Sequence, residues 1–354
     1  MKVDVIKISQ NSPDDLTGLI HAIQQQKLAP RHVVAIMGKT EGNGCVNDFT
    51  RGFAVATLKS YLRDLIGESV NRIAFVMSGG TEGVLSPHIT IFTRQEDELD
   101  GPSRRGLVLG LCHTRDFSVD EIGTLTMVRV VAEGVNEAIA DAGLAPEDVH
   151  FMQIKCPLIT SSSQNETAIA PDSYKSMAYS RGASALGVAV ALGEIDIEQL
   201  SEADICTNYE LYSAVASTSA GVELNNCEIL VLGNSPHSHS DYLIEHRVMN
   251  HALDATAVKQ AIASAQECID FEAVDLTKVV NIFAKAEADP SGRVLGCRHT
   301  MLDDSDINHT RMARAVVGAV VASVAKDPMV YVSGGSEHQG PSGGGPVAAI
   351  CKRR

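Results

Sequence analysis

A five-residue pattern, Ser-[Gly/Ala]-Gly-x-Glu, occurs three times in this chain, at residues 78–82, 219–223 and 333–337. At average residue usage, such a pattern is expected by chance on the order of a few hundredths of a time in a chain of this length. Three copies therefore indicate an internal repeat, and a repeat constrains the fold more than any single motif does.

The composition bounds the class of protein. The chain has 354 residues, of which 44% are hydrophobic and 21% charged, so it can bury a large core. The formal net charge of −15 argues against nucleic acid and anionic membranes as partners, since both attract basic surfaces. The first ten residues include charges and no apolar segment, which predicts no signal peptide, and the longest apolar run, near 315–325, is too short to span a bilayer. Eight scattered cysteines without a Cys-x-x-Cys pair favour a reducing cytoplasm over a zinc site or a disulfide framework.

Hydrophobic patterning predicts one order of elements, strand-helix-strand-helix-strand-strand, in each third of the chain. The resulting fold class is α/β, with three homologous units at residues 1–104, 105–245 and 246–354. In the first unit, Ser12 is a suitable helix cap and Pro13 a suitable first helical residue. Strands are predicted over 3–8, 32–37, 72–77, 88–92, 107–111, 149–154, 211–217, 228–232, 279–284, 329–332 and 347–351, and an opening strand of the third unit near Val248. Further helices are predicted over 51–65, 122–142, 182–192, 255–264 and 311–325. Polar segments are predicted over 95–105 and 160–172.

Each unit carries a lysine, an arginine and a serine in the same order. The second strand ends at Lys39, Lys155 or Lys285, the second helix begins near Arg51, Arg181 or Arg311, and the third strand leads to Ser78, Ser219 or Ser333. The lysine-to-arginine spacing is 181 − 155 = 26 and 311 − 285 = 26 in two units, and 51 − 39 = 12 in the first. Loop lengths that vary around a constant set of residues are typical of repeats with chemistry at strand ends.

Three such units can close around a pseudo-threefold axis, which would bring the equivalent residues together in one pocket. A small, planar, nearly threefold ligand rich in carbonyl oxygens suits such a pocket, because guanidinium groups and backbone N–H groups bind carbonyl oxygens. Gly79, Ala220 and Gly334, which follow the serines, are small enough for close approach of the backbone.

A serine beside a lysine suggests nucleophilic attack on a carbonyl carbon, with the lysine as general base. Burial and neighbouring cations both lower the pKa of a lysine. One like charge at roughly 6 Å and an effective dielectric of about 20 costs ~2.8 kcal/mol, which is ~2 pKa units. The same cations would stabilise an oxyanion.

The residues alone leave open which of the three serines reacts. They also leave open whether Glu82, Glu223 and Glu337 only stabilise their turns or orient the lysines.

Longer segments give these residues a family context. They are residues 38–51 (GKTEGNGCVNDFTR), 77–83 (MSGGTEG), 176–184 (SMAYSRGAS), 217–223 (STSAGVE), 301–311 (MLDDSDINHTR) and 333–340 (SGGSEHQG). On these segments the chain resembles the ring-opening amidohydrolase family of cyanuric acid hydrolases and barbiturases over nearly its whole length. The resemblance implies three like α/β domains around a central β-barrel, and a cytoplasmic homo-oligomer, a tetramer. It also implies hydrolysis of an s-triazine or pyrimidine ring amide without a catalytic metal or other catalytic cofactor.

The resemblance also assigns roles by position. It implies that Lys155 and Ser219 form the catalytic dyad and that Lys39 and Lys285 belong to supporting dyads. The implied ligands of the substrate oxygens are Arg51, Arg181, Arg311, Ser78, Gly79, Ser219, Ala220, Ser333 and Gly334. Residues just before Arg311 are expected to tune which ring fits.

A structural divalent cation, Mg²⁺ or Ca²⁺, is a further implication of the resemblance. Its implied ligands are Glu287 and a Gly- and Pro-rich loop with Ser336, Gln339, Gly340, Pro341 and Gly344. Such a turn exposes carbonyl oxygens, and hard cations take oxygen ligands.

Three functions remain open at this point. Opening of cyanuric acid to carboxybiuret, which loses carbon dioxide to give biuret, is the first. Opening of barbituric acid to ureidomalonate is the second. A threefold module that binds a small planar anion without chemistry is the third.

Overall fold

The computed structural model describes residues 1–97, 101–160, 169 and 172–353. Most of the predicted polar loop over 160–172 lies outside the described residues, as does part of the predicted segment over 95–105. Among the helices that the structure does describe, none combines the length and apolar character needed to cross a membrane.

The predicted order of elements occurs three times. The first unit contains β1 (Lys2–Ser9), α1 (Thr17–Gln24), β2 (Val33–Thr40), α2 (Phe49–Ile66), β3 (Ala74–Gly79) and β4 (His88–Gln95). The second contains β5 (Arg104–His113), α3 (Leu125–Ala142), β6 (Val149–Pro157), α4 (Ser173–Ala191), β7 (Ala216–Gly221) and β8 (Glu228–Ser238). The third contains β9 (Tyr242–Met249), α5 (Ala255–Ala265), β10 (Val279–Ala286), a small hairpin of β11 (Arg293–Val294) and β12 (Cys297–Arg298), α6 (His309–Ala325), β13 (Tyr331–Gly334) and β14 (Gly345–Lys352).

The three four-stranded sheets share one topology. Their strand orders are β1-β4-β2-β3, β5-β8-β6-β7 and β9-β14-β10-β13, so each unit places its first, fourth, second and third strands side by side. In each sheet the second and third strands are parallel, while the fourth strand runs antiparallel to its neighbours. The parallel pair needs a crossover connection, which α2, α4 and α6 provide.

The sheets meet in a common apolar core to which all three units contribute. Its large side chains include Phe92, Phe151, Phe283 and Tyr331. The ring centroid of Phe283 lies 5.1 Å from that of Phe151, 6.3 Å from that of Phe92 and 5.6 Å from that of Tyr331. Within the described residues the main strands pair as three separate sheets, so the closed central barrel stays a prediction.

Several predicted elements differ from the structure. The helix expected at Ser12 begins at Thr17 instead, because the Asp15 carboxylate accepts hydrogen bonds from the backbone N–H groups of Asn11 and Thr17 and closes a turn there. The second helix of the middle unit begins earlier than expected, since Asp172 caps it by accepting a hydrogen bond from the Lys175 N–H at 2.7 Å.

The strand predicted over 211–217 is displaced along the chain. The third strand of the middle unit is Ala216–Gly221 and therefore contains Ser219 rather than preceding it. The residues before it instead contact the third unit, where the Ser213 N–H donates to the His338 carbonyl and the Gly340 N–H donates to the Ser213 carbonyl.

The first strand of each sheet shows where one repeat unit ends and the next begins. The second sheet begins at Arg104 and the third at Tyr242. The predicted boundaries at 104/105 and 245/246 fall inside these opening strands.

Phe283→Ala is expected to lower the free energy of unfolding by about 3–5 kcal/mol, because it opens a cavity where the three sheets meet. Urea denaturation measures this change. The control Phe53→Ala, at a phenylalanine that is 52% exposed, should change the value by less than about 0.5 kcal/mol. Equal effects of the two substitutions would contradict a shared core.

Candidate active site

One cavity collects equivalent residues from all three units. Its volume, including space open to solvent, is about 310 Å³. Its lining contains a serine, an arginine and a small residue from each unit: Ser78, Ser219, Ser333, Arg51, Arg181, Arg314, Gly79, Ala220 and Gly334, with Gly44, Met77 and Met177. The predicted convergence is therefore observed for the three serines, the three small residues, Arg51 and Arg181, whereas Arg311 and the three lysines are not part of the lining.

Strand pairing places each lysine beside its serine. In the parallel pairs, Lys39 is in register with Ser78, Lys155 with Ser219 and Lys285 with Ser333. All three lysines are buried. Each lysine and its serine lie near the ends of adjacent parallel strands, so each β-α-β unit places the two residues side by side.

The three lysines do not make the same contacts. Lys39 Nζ lies 3.2 Å from Ser78 Oγ, and Lys285 Nζ lies 3.2 Å from Ser333 Oγ. Lys155 Nζ instead lies 2.8 Å from Glu223 Oε1 and 3.4 Å from the carbonyl oxygen of Met77. The middle pair is therefore in register without a direct lysine–serine hydrogen bond.

Burial governs the protonation of two of these amines. Burial, together with the charge of Arg314, lowers the pKa of Lys39 well below its usual value. Burial, together with the charge of Arg181, lowers the pKa of Lys285 to about 7. A low-dielectric environment with neighbouring cations disfavours the ammonium form, so these two lysines favour the neutral form more than exposed lysines do.

Glutamates of the repeated pattern connect neighbouring units. Arg181 binds Glu337 through two hydrogen bonds of 2.8 and 2.6 Å. Arg314 likewise binds Glu82, with its Nε 2.9 Å from Oε2. Both pairs join an arginine of one unit to a glutamate of another, in the bidentate geometry that makes such bonds strong.

The middle glutamate has a different partner. A pair of Arg51 with Glu223 would complete the set of three arginine–glutamate pairs. Arg51 instead donates to the carbonyl oxygens of Cys45 at 2.8 Å and Ala220 at 3.5 Å. Its Nε has no hydrogen-bond partner among the described residues. Glu223 is thus left for Lys155. Burial alone would raise the pKa of Glu223, but the charge of Lys155 and its hydrogen bond outweigh this effect and bring that pKa to about 2.

The third arginine of the cavity is Arg314, where the repeat spacing predicted Arg311. Arg314 is buried and lines the cavity, whereas the Arg311 side chain is 38% exposed and lies outside the lining, with its Nε 3.5 Å from Glu82 Oε1. The spacing from Lys285 is therefore 314 − 285 = 29 residues, and the agreement of two spacings at 26 does not mark equivalent positions. Arg311 and Arg314 are three residues apart on α6 and share a side of the helix, so spacing alone could not separate them.

Small residues after the serines are needed to different degrees. A Cβ atom at Gly79 would lie 2.1 Å from Asp48 Oδ2, and one at Gly334 would lie 2.4 Å from Thr310 Cγ2. The middle unit carries Ala220 at this point, so its surroundings leave room for a methyl group.

The predicted cation ligands lie partly around a second cavity. Glu287, Ser336 and Gly340 line it, while the other three predicted ligands, Gln339, Pro341 and Gly344, belong to the same loop. Glu287 Oε1 accepts a hydrogen bond from the Ala288 N–H at 2.8 Å and lies 2.9 Å from His309 Nδ1.

The chemistry of this set is that of oxygen donors. It contains one carboxylate, and among the described residues no group of three His, Cys, Asp or Glu side chains could hold a metal ion. One carboxylate with hydroxyl and carbonyl oxygens suits a hard cation, and the cation itself stays a prediction.

Comparison with known proteins places the chain in a class. The family model described as "Amidohydrolase ring-opening protein" matches residues 4–352. The chain belongs to this family and is a hydrolase that acts on carbon–nitrogen bonds of cyclic amides.

Individual relatives resemble the chain over nearly its full length. It is 50% identical to a cyanuric acid amidohydrolase of Enterobacter cloacae, over 99% of this chain and 100% of the relative. It is 52% identical to the enzyme of the same name from Bradyrhizobium diazoefficiens, over 99% and 98%. The solved cyanuric acid hydrolase of A. caulinodans superposes with a TM-score of 0.92 at 48% identity, covering 99% of each chain.

Arg314→Met is expected to lower the free energy of unfolding by about 3 kcal/mol, because it leaves the largely buried Glu82 carboxylate without its main partner. The matched variant Arg311→Met, at a more exposed arginine, should cost less than about 1 kcal/mol. Urea denaturation of both variants measures the difference. A larger loss in Arg311→Met would contradict the placement of Arg314.

Proposed function

We propose that this protein hydrolyses cyanuric acid, opening its s-triazine ring to carboxybiuret, which loses carbon dioxide to give biuret. The observation that carries the proposal is the single cavity lined by one serine and one arginine from each of three units. Cyanuric acid is planar and presents three carbonyl groups in threefold arrangement, so it matches this lining. The names of the relatives at about 50% identity support the same substrate.

Each carbonyl oxygen of the ring would meet the same kind of donors. Arg51, Arg181 and Arg314 supply guanidinium N–H groups, and the residues after the three serines supply backbone N–H groups. Such donors are already oriented in the folded protein, so they stabilise negative charge on an oxygen without reorganisation. Arg311, predicted for this role from the sequence, lies outside the cavity lining and is not included.

Ser219 is the proposed nucleophile and Lys155 its proposed base. Ser219 Oγ forms a bond to a ring carbonyl carbon while its proton passes to the amine of Lys155, which accepts it as the general base. The ring C–N bond then breaks, the leaving nitrogen takes the proton from Lys155, and water hydrolyses the resulting ester. Glu223, 2.8 Å from Lys155 Nζ, stabilises the ammonium group that forms, as the third member of a nucleophile–base–carboxylate set does.

The partner of Glu223 gives a reason for choosing Lys155 and Ser219 as the reactive pair. Glu82 and Glu337 are bound by arginines, whereas Glu223 contacts a lysine. Within the described residues Lys39 and Lys285 make no such carboxylate contact, and they donate hydrogen bonds of 3.2 Å to Ser78 and Ser333. We assign these two pairs to substrate binding and not to attack.

A structural cation is part of the proposal but of no chemical step. Glu287, Ser336 and Gly340, with Gln339, Pro341 and Gly344 of the same loop, would hold Mg²⁺ or Ca²⁺ and so connect β10 to the loop before β14. The closed barrel, the homotetramer and the cytoplasmic location remain predictions.

A substrate panel tests the reaction. Cyanuric acid is expected to release biuret, whereas barbituric acid should yield ureidomalonate at a much lower kcat/KM; chromatographic detection of both products decides between them.

Ser219→Ala should reduce kcat by about 10³-fold or more while ligand binding is retained. A protein that binds cyanuric acid without turnover would support the binding module, and faster turnover of barbituric acid would support the barbiturase.

Glu223→Gln removes the carboxylate next to Lys155. The value of kcat should fall by about 10²-fold, because the ammonium formed during attack loses its counter-ion. Steady-state kinetics measure this change.

Glu82→Gln is the matched control, since Glu82 occupies the same place in the repeated pattern but binds Arg314. It should raise KM and lower kcat much less than Glu223→Gln does. Equal losses of kcat in the two variants would contradict a special role for Glu223.

A further inference from the structure

The side chain of Gln339 is fully buried and has no part in the proposed chemical steps. It lies in the loop between β13 and β14, outside the cavity lining. At the same distance after the other two serines of the repeated pattern the chain has Val84 and Asn225, and both are exposed. The buried amide is therefore a feature of the third unit that the repeat does not reproduce.

The hydrogen-bond partners of the Gln339 amide fix its orientation. Nε2 donates to the carbonyl oxygens of Gly335 at 3.2 Å and Glu337 at 3.3 Å, both in the same loop. Oε1 accepts a hydrogen bond of 2.7 Å from the backbone N–H of Thr218. An amide group donates only from its nitrogen and accepts only at its oxygen, so these partners allow one orientation, with the oxygen toward the second unit.

Thr218 lies on the edge strand of the second sheet, one residue before Ser219. In the order β5-β8-β6-β7, one side of β7 pairs with β6, and the other side is not paired within that sheet. The third unit supplies the missing partners there: Gln339 Oε1 accepts from the Thr218 N–H, and Lys285 Nζ donates to the Thr218 carbonyl oxygen at 2.9 Å. Both backbone groups of Thr218 are thus hydrogen-bonded to side chains of another unit, as buried backbone groups require.

Only part of this arrangement follows the repeat. Met77 precedes Ser78 as Thr218 precedes Ser219, and its carbonyl oxygen lies 3.4 Å from Lys155 Nζ of the following unit. The lysine contact therefore recurs from unit to unit. The glutamine contact belongs to the strand that carries Ser219.

We propose that Gln339 is a positioning residue for the reaction: its side-chain oxygen holds β7 at Thr218 and thereby fixes Ser219, the next residue, in register with Lys155. Gln339 binds a backbone N–H, so it takes no proton from the serine and touches no atom of the substrate. This inference rests on the proposed nucleophile, and it adds a reason from the third unit for the reactivity of the second.

Gln339→Met removes the acceptor oxygen and keeps the length of the side chain. The value of kcat should fall by about 10–100-fold, because a displacement of about 1 Å at a reacting group can cost ~10²-fold. KM should stay within about threefold of that of the original protein, since the cavity arginines are unchanged. The variant also keeps the main-chain carbonyl of residue 339 for the proposed cation.

Gln266→Met is the matched control. Gln266 is a buried glutamine of the third unit outside the cavity lining, and its amide likewise bonds to backbone groups, donating to the Asp275 carbonyl at 2.8 Å and accepting from the Asp275 N–H at 2.9 Å. The two variants should lower the melting temperature to a similar degree, because each leaves a backbone N–H without its partner. Gln266→Met should leave kcat and KM unchanged.

Gln339→Asn tests the same contact if Gln339→Met does not fold. Asparagine keeps an amide in the loop but is one carbon shorter, so its oxygen cannot reach the Thr218 N–H in the same backbone position. The expected fall in kcat is the same, and an unchanged kcat in this variant would overturn the proposal.

A further measurement does not depend on turnover. A small fluorophosphonate probe, followed by peptide mass spectrometry, reports which serine is most reactive. The original protein should be labelled at Ser219, and Gln339→Met should slow this labelling by about tenfold relative to Gln266→Met.

The outcomes separate the two proposals. Unchanged kcat and labelling in Gln339→Met would overturn the role of Gln339. A rise in KM alone would do so too, because it would indicate an effect through Glu337 and Arg181, as would recovery of kcat on addition of Mg²⁺ or Ca²⁺. Slower labelling of Ser219 in a protein that does not hydrolyse cyanuric acid would support Gln339 while the proposed substrate fails.

Discussion

The concentration of positive charge around one cavity is the constraint on which this site depends. Three buried lysines and three arginines come together because three similar units direct the same strand ends and helices toward a common point. Such a cluster would be unstable if every group kept its charge without a partner. Burial and neighbouring cations favour loss of the proton from Lys39 and Lys285, and glutamates of the repeated pattern bind Arg181, Arg314 and Lys155.

Chemistry at such a site requires that the symmetry be broken, since three identical serines would compete for one ring. The break arises from small changes in partners. Arg51 donates to backbone carbonyls, and Glu223 therefore pairs with Lys155. Approximate symmetry thus suits the proposed threefold ring, and the departure from it falls on the middle unit.

The sequence predicted much of the architecture because the relevant signals are local. Alternating and periodic apolar residues defined most strands and helices, and the threefold recurrence of the pattern around Ser78, Ser219 and Ser333 predicted the repeat. Errors occurred where one side chain changed a boundary. Asp15 closes a turn at an apparent helix start, and Asp172 caps a helix well before Arg181.

The sequence by itself determined that three α/β units repeat and that each supplies a lysine and a serine, because apolar patterning and the recurring motif are local signals. Only the tertiary structure decided which arginine completes the cavity and which glutamate remains for Lys155. These depend on contacts between units more than 100 residues apart, such as that of Arg314 with Glu82. Arg311 and Arg314 occupy one side of the same helix, so only packing against the first unit distinguishes them.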